Sequence, residues 1–262
     1  MNREMRFKNW YPGSLKEVAA YIPQTKIKKD AAGLIVPHAG WTYSGKTAAA
    51  AYASAQMCDT CVILCPSHTG IGPEISVYPC GVWDTPFGGV CVDEEISKAV
   101  VNGSKYAEAD FTAHIMEHSV EVELPFIKVL MPSAKIVPIS VMTQEYGKCL
   151  DLAKAIYKSA QACGKKVIAV ASSDMSHYAD ATIAKICDDI AIYHILSLDA
   201  KGLLEAVEER NISMCGAAAC AVMLEYSKLK GARRAELLRY SNSGEISGDF
   251  SEVVGYAGMI VY

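Results

Sequence analysis

Leu34-Ile35-Val36-Pro37-His38, Val62-Ile63-Leu64-Cys65-Pro66-Ser67-His68, and Val167-Ile168-Ala169-Val170 followed by Ser172-Ser173-Asp174-Met175-Ser176-His177 share one design. In each, a short apolar run gives way to polar residues that carry a histidine. An apolar run without polar alternation reads as a strand buried on both faces, the habit of strands in parallel sheets. The ends of neighbouring strands in such sheets share one rim, and ligands bind there. Imidazoles delivered repeatedly to one rim point to a metal or an acid/base site.

Outward from these strands, helical and strand patterns alternate. Ser14 and Glu17 form a capping box at the start of a helix reaching Ile22. The alanine-rich stretch 47–57 favours helix. Short strand-like pieces at 74–78 and 89–92 flank a turn at Trp83 to Phe87, and Asp93 caps a helix through Val101. A helix over 117–131 follows, which Pro125 must begin or kink. A strand at 136–141 precedes a helix over 146–163, and helices at 180–198, 201–209 and 216–229 follow the third histidine strand. Strands at 236–240 and 253–261 close the pattern. Strands spaced by helices predict a single α/β domain over residues 1–262, a three-layer α/β/α sandwich with a mixed, mostly parallel central sheet.

Composition narrows the function. The 262 residues are 51% apolar and 21% charged, with a net charge of -4. That balance argues against a general nucleic-acid binder, whose affinity comes from clustered Lys and Arg. The basic stretch Lys26 to Lys29 is short and reads as a solvated loop. No apolar run approaches the ~20 residues needed to span a bilayer, so no membrane role is expected. The opening residues Met1 to Arg6 lack the apolar centre of a signal peptide, and a cytoplasmic location is the expectation. In that compartment most of the ten cysteines read as small hydrophobes. The Cys58-x-x-Cys61 pair is read the same way, since no second pair stands at zinc-ribbon spacing.

Several residues could carry chemistry. His38 lies in a loop with Gly40 and Gly45, where glycine permits close backbone approach to a ligand. His68 repeats the arrangement between Pro66 and Gly70. On the expected 117–131 helix, His118 and Glu121 are three apart and would face one side, offering an acid/base imidazole. Asp174 could orient an imidazole, or Asp174 or Ser176 could cap the next helix. His177 closes that segment. Cys215 precedes an alanine-rich helix, whose N-terminus would favour a thiolate. His194 and His114 have no comparable setting. A Ser-His-Asp hydrolase lacks its Gly-x-Ser-x-Gly elbow.

Taken together, the segments Pro37-His38-Ala39-Gly40-Trp41-Thr42-Tyr43-Ser44-Gly45, Pro66-Ser67-His68, Glu117-His118-Ser119-Val120-Glu121, Ser172 to His177 and Cys215-Gly216 resemble the Memo family. That family is similar to LigB-type class III extradiol dioxygenases. Asn9-Trp10-Tyr11-Pro12, Gly248-Asp249 and Val253 to Ala257 match as well, so the resemblance spans nearly the whole chain. Lys8-Asn9 departs from it, standing where the family usually has a small residue and glycine.

The resemblance implies that His38, His68 and Cys215 are metal ligands, with His118, Asp174 and His177 lining the same pocket. The dioxygenase relatives hold Fe(II) with two histidines and a carboxylate. Cys215 stands at the carboxylate position, and its softer thiolate admits Fe(II), Cu(I) or Zn. The expectation is therefore a cytosolic metal-dependent redox protein, dioxygenase-like, acting on a small molecule, with an aromatic one as the candidate. The resemblance also implies a radical-SAM protein and a small companion as partners, in the AmmeMemoRadiSam system. Two other readings stay open: a metal-assisted hydrolase, and a non-catalytic carrier of copper or iron or binder of a peptide.

Overall fold

A computed structural model describes residues 2–25 and 27–262. Its strands are β1 (Gly33–Val36), β2 (Thr60–Cys65), β3 (Ile75–Val77), β4 (Val82–Trp83), β5 (Val90–Cys91), β6 (Ala107–Ala109), β7 (Lys135–Val141), β8 (Val167–Ser172), β9 (Ala235–Asn242) and β10 (Gly255–Val261). The helices are α1 (Leu15–Tyr21), α2 (Trp41–Ser54), α3 (Glu94–Gly103), α4 (Thr112–Ile115), α5 (Leu124–Leu130), α6 (Tyr146–Ala162), α7 (Ala181–Leu196), α8 (Ala200–Glu209), α9 (Ala217–Leu229) and α10 (Gly244–Ser247).

Eight strands form one sheet in the order β6-β3-β7-β2-β8-β1-β10-β9, and β4 pairs with β5 apart from it. The centre, β7-β2-β8-β1, is parallel throughout. The flanks turn antiparallel, at β3 against β7 and at β10 against both β1 and β9. Successive side chains of a strand point to opposite faces, and β2 shows this directly. Val62 and Leu64 enter a core with α3, α6, α7, α8 and α9, while Cys61, Ile63 and Cys65 enter another with α1, α2 and α5. The expected three layers and mixed, mostly parallel sheet are therefore present. The three histidine strands also prove to be neighbours, in the order β2-β8-β1. Their carboxyl ends form one continuous stretch of rim.

Two expectations near the rim need correction. Helix α2 begins at Trp41, six residues before the alanine-rich stretch. Trp41 stacks on Phe126 with ring centroids 3.8 Å apart, and its Nε1–H donates to the Val122 carbonyl at 2.9 Å. Burying an aromatic ring gives roughly 1.5–3 kcal/mol, which outweighs the few tenths lost to a weaker helix former. Gly45 thus lies inside α2 rather than in the loop, where a Cβ would come within 2.9 Å of the Tyr21 ring. The second correction concerns 117–131, which is not one helix. Residues 117–120 form an irregular turn, Glu121–Glu123 a single 3-10 turn, and α5 starts only at Leu124 with Pro125 in its first turn. Proline lacks the N–H that an interior position must donate, so it marks a beginning.

Of the basic stretch, Lys26 lies outside the described residues, as does Met1 of the opening segment; Ile27 and Lys28 are exposed and irregular. Among the described residues no helix is long and apolar enough to cross a membrane.

Candidate metal centre

His38 follows β1 by two residues, with Pro37 ending the strand. Its backbone N–H donates to the Asp174 carboxylate at 2.8 Å, and Ala39 N–H reaches the same oxygen at 3.3 Å. Asp174 therefore fixes the loop rather than an imidazole ring. It does not cap the next helix either, because Asp180 does that. Burial pushes the Asp174 carboxyl up to about 6, against the lowering effect of the His38 N–H and the His177 charge.

The His38 ring is buried, and its Nδ1 lies 2.9 Å from the Ser172 hydroxyl. That hydroxyl spends its one proton on the Ser119 carbonyl, 2.7 Å away. It can only accept from His38, so the proton is on Nδ1 and the Nε2 lone pair is free. Nε2 faces the Cys215 sulfur at 3.3 Å. Burial, followed by the nearby His118 and His68, holds His38 far below the usual histidine range.

His68 is arranged with the same logic and a stronger partner. Its Nδ1 lies 2.8 Å from Glu117 Oε1, and its backbone N–H donates to Glu117 Oε2 at 2.7 Å. Glu117 is fully buried and also accepts from the Ser119 N–H and hydroxyl. Burial alone would raise this carboxyl, but the His68 hydrogen bond and charge outweigh it and hold it ionised. In turn burial lowers His68, while Glu117 more than offsets this and raises it. A carboxylate behind one ring nitrogen leaves the other as a basic ligand, as in carboxylate–histidine–metal arrangements.

Cys215 directly precedes Gly216, the N-cap of α9. Gly216 is required there: a Cβ would lie 2.5 Å from that of Ser173 and 2.7 Å from the Ser172 carbonyl oxygen. The sulfur accepts the Asp174 N–H at 3.3 Å. The helix N-terminus does not by itself give a thiolate, contrary to expectation. Burial pushes the thiol up, Asp174 adds to this, and the single N–H does not compensate. A cation is the partner that reverses such a balance, since metal binding displaces the thiol proton.

One donor atom from each of His38, His68 and Cys215 lies within 4.8 Å of the others. Two lone-pair imidazoles and a thiol fit a transition metal by donor chemistry. His68, Glu117 and His118 form another group of that size, but Glu117 is already committed to His68 and Ser119.

His118 joins the same cluster without standing on a helix. Its ring centroid is 4.4 Å from that of His68 and 5.3 Å from that of His38. Burial lowers it to about 4, so it is neutral at pH 7. Glu121 does not face it across a helical turn; it accepts from the Tyr11 hydroxyl at 2.7 Å, from the Arg6 and Phe7 N–H groups, and from Arg3. Those bonds fasten residues 3–11 over the turn, setting Trp10 4.6 Å and Phe7 5.6 Å from the His118 ring by centroid. Trp10 and Tyr11 also line a surface cleft of about 360 Å³ with Tyr21 and Trp41. His177 sits further out, its Nδ1–H donating to the Ser213 carbonyl at 2.7 Å.

The structure thus brings together His38, His68, His118, Asp174 and Cys215, and leaves His177 at the margin. Sequence reasoning missed Ser172 and Glu117 as the groups that set the ring tautomers. It also missed Arg3, Tyr11 and Trp10 as the wall. His194 and His114 stay apart, bonded to Asp199 at 3.0 Å and to Ser76 at 3.0 Å.

Residues 8–260 match the family model described as "Memo-like protein". A "MEMO1 family protein" of Desulfurococcus amylolyticus is 44% identical over 234 residues, covering 88% of this chain and 82% of that one. A relative of the same description from Methanocaldococcus jannaschii is 43% identical, covering 87% and 83%. The crystal structure of an uncharacterized Escherichia coli K12 protein aligns with TM-score 0.55 at 12% identity, over 87% of this chain and 98% of that one. The last likeness concerns the fold alone.

Proposed function

The chain belongs to the Memo family, and from that premise we propose that it is a metal-dependent redox protein whose ion is held by His38 Nε2, His68 Nε2 and Cys215 Sγ. The observation that carries this reading is the pair of locked tautomers. Ser172 and Glu117 each occupy an Nδ1, which frees both Nε2 lone pairs beside one sulfur.

Fe(II) or Cu(I), when bound, would supply one-electron chemistry and positions for substrate and dioxygen. The chain's own residues do the rest. Asp174 holds the His38 backbone in place, and Glu117 strengthens His68 as a donor. His118, neutral at pH 7, accepts a proton from a substrate hydroxyl. Trp10 and Phe7 cover this imidazole and limit water around it. The aromatic-lined cleft beside Trp10 supports a small aromatic molecule as substrate.

The test is metal analysis of protein purified anaerobically, comparing wild type with His38→Ala, His68→Ala and Cys215→Ser. Bound transition metal is expected to fall by more than about 10-fold in each, at least the loss that disturbing an outer partner causes. Unchanged metal content in any of the three overturns the ligand set. Oxygen uptake by Fe(II)-loaded protein with a panel of catechols then tests catalysis; firm metal retention without uptake makes the protein a carrier.

A further inference from the structure

The Cys58-x-x-Cys61 pair lies at the opposite rim of the sheet from the histidines. Cys58 precedes β2 and Cys61 is its second residue, while His68 lies beyond the last. Four residues of strand alone separate the two places by ~13 Å. Met131, the C-cap of α5, meets the pair there. The two thiol sulfurs are 3.5 Å apart, and each lies 3.7 Å from the Met131 sulfur. All three side chains are buried.

Those distances describe a nearly equilateral triangle of sulfur. The point equidistant from its corners lies about 2.1 Å from each (the side divided by √3), near the ~2.3 Å of a zinc–thiolate bond. Three sulfurs from two segments, the entry to β2 and the end of α5, are thus turned toward one point. Thiolate and thioether together select soft ions, Cu(I) foremost. Zinc in a structural site takes four ligands. Among the described residues no histidine, third cysteine or carboxylate donor joins the two thiols within 4.8 Å.

The geometry points to a second metal site, in which Cys58, Cys61 and Met131 bind one Cu(I) through three sulfurs. Binding releases both thiol protons to solvent and leaves the complex with one net negative charge. Lys230, whose Nζ donates to the Val167 carbonyl at 2.8 Å, is the cation beside Cys58 that would balance this charge. Met131 also lines a surface cleft of about 160 Å³ together with the exposed Cys91. The site is independent of the histidine centre and of any reaction there.

The test is an anaerobic titration of the full chain with Cu(I) against a chromophoric chelator, in a Cys215→Ser background that removes competition from the histidine centre. One tightly held equivalent with a sulfur-only shell by X-ray absorption is expected. Adding Cys58→Ser abolishes it. Adding Met131→Leu, which keeps the packing volume, weakens it by more than about 10-fold, at least the loss that disturbing an outer partner causes. If Cys58→Ser does not fold, Met131→Leu decides alone. A Cys215→Ser protein that holds no Cu(I), undiminished affinity in Met131→Leu, preference for zinc, or a Cys58–Cys61 disulfide in place of copper uptake overturns the proposal.

Discussion

The loops after β1 and β2 each bring an imidazole to the same rim, but one sets its ring against a neutral hydroxyl and the other against a buried carboxylate. His38 is enclosed and leans on Ser172. His68 keeps a third of its side chain exposed and leans on Glu117. Hydrogen bonds to an ionised partner are roughly twice as strong as neutral ones. In the proposed centre the β2 side would therefore anchor an ion through a strengthened donor, while the β1 side would contribute a fixed direction.

Glu117→Gln attacks the stronger side and carries the largest expected effect. The shape is kept and the charge lost, so metal affinity should fall about 10- to 100-fold, read by chelator competition. Unchanged affinity would break the contrast. Ser172→Ala removes the neutral acceptor, with a smaller loss of affinity and about 1 kcal/mol of stability by urea denaturation. If it matched Glu117→Gln in affinity, the ranking of the two sides would fail.

His114 sharpens the comparison as a buried imidazole with no place in the centre. Burial lowers it to about 4, below its unfolded value near 6.5. Between those values the unfolded chain binds more protons, so stability rises with pH and is lost as pH falls from about 6.5 toward 4. From pH 7 to pH 6 the loss from this one group should stay under about 1 kcal/mol. His114→Gln should flatten that part of the stability–pH curve; an unaltered slope would show that His114 does not contribute.

Residues 34–36, 62–65 and 167–170 could be read because strands covered on both faces are apolar along most of their length. Their chemistry was readable too, since proline and histidine break the run at a fixed place. Strand β6 and helix α4, Ala-Glu-Ala and Thr-Ala-His-Ile, escaped because they are too short to show a period. Glu117 was visible as a carboxylate beside His118, yet its partner is His68, 49 residues away, and no local spacing encodes that contact. Cys215 reached the candidate ligand set through family resemblance; its own surroundings suggested a thiolate at a helix start. Its thiol then proved to be governed by burial, which a linear pattern does not express.

The strand order has a consequence for how the protein is made. The two neighbours of β1 are β8 and β10, which follow it by more than a hundred and by more than two hundred residues. During synthesis from the N-terminus, β1 emerges early with both edges open, and open edges invite mispairing. Contacts so distant in the chain also slow folding, because long loops must close first. His38 and His68 are both made well before Cys215, so a newly made chain carries both histidines of the proposed ligand set long before its cysteine. Under the proposed ligand set, metal loading at this rim would thereby be a late event of biogenesis, timed by the arrival of α9.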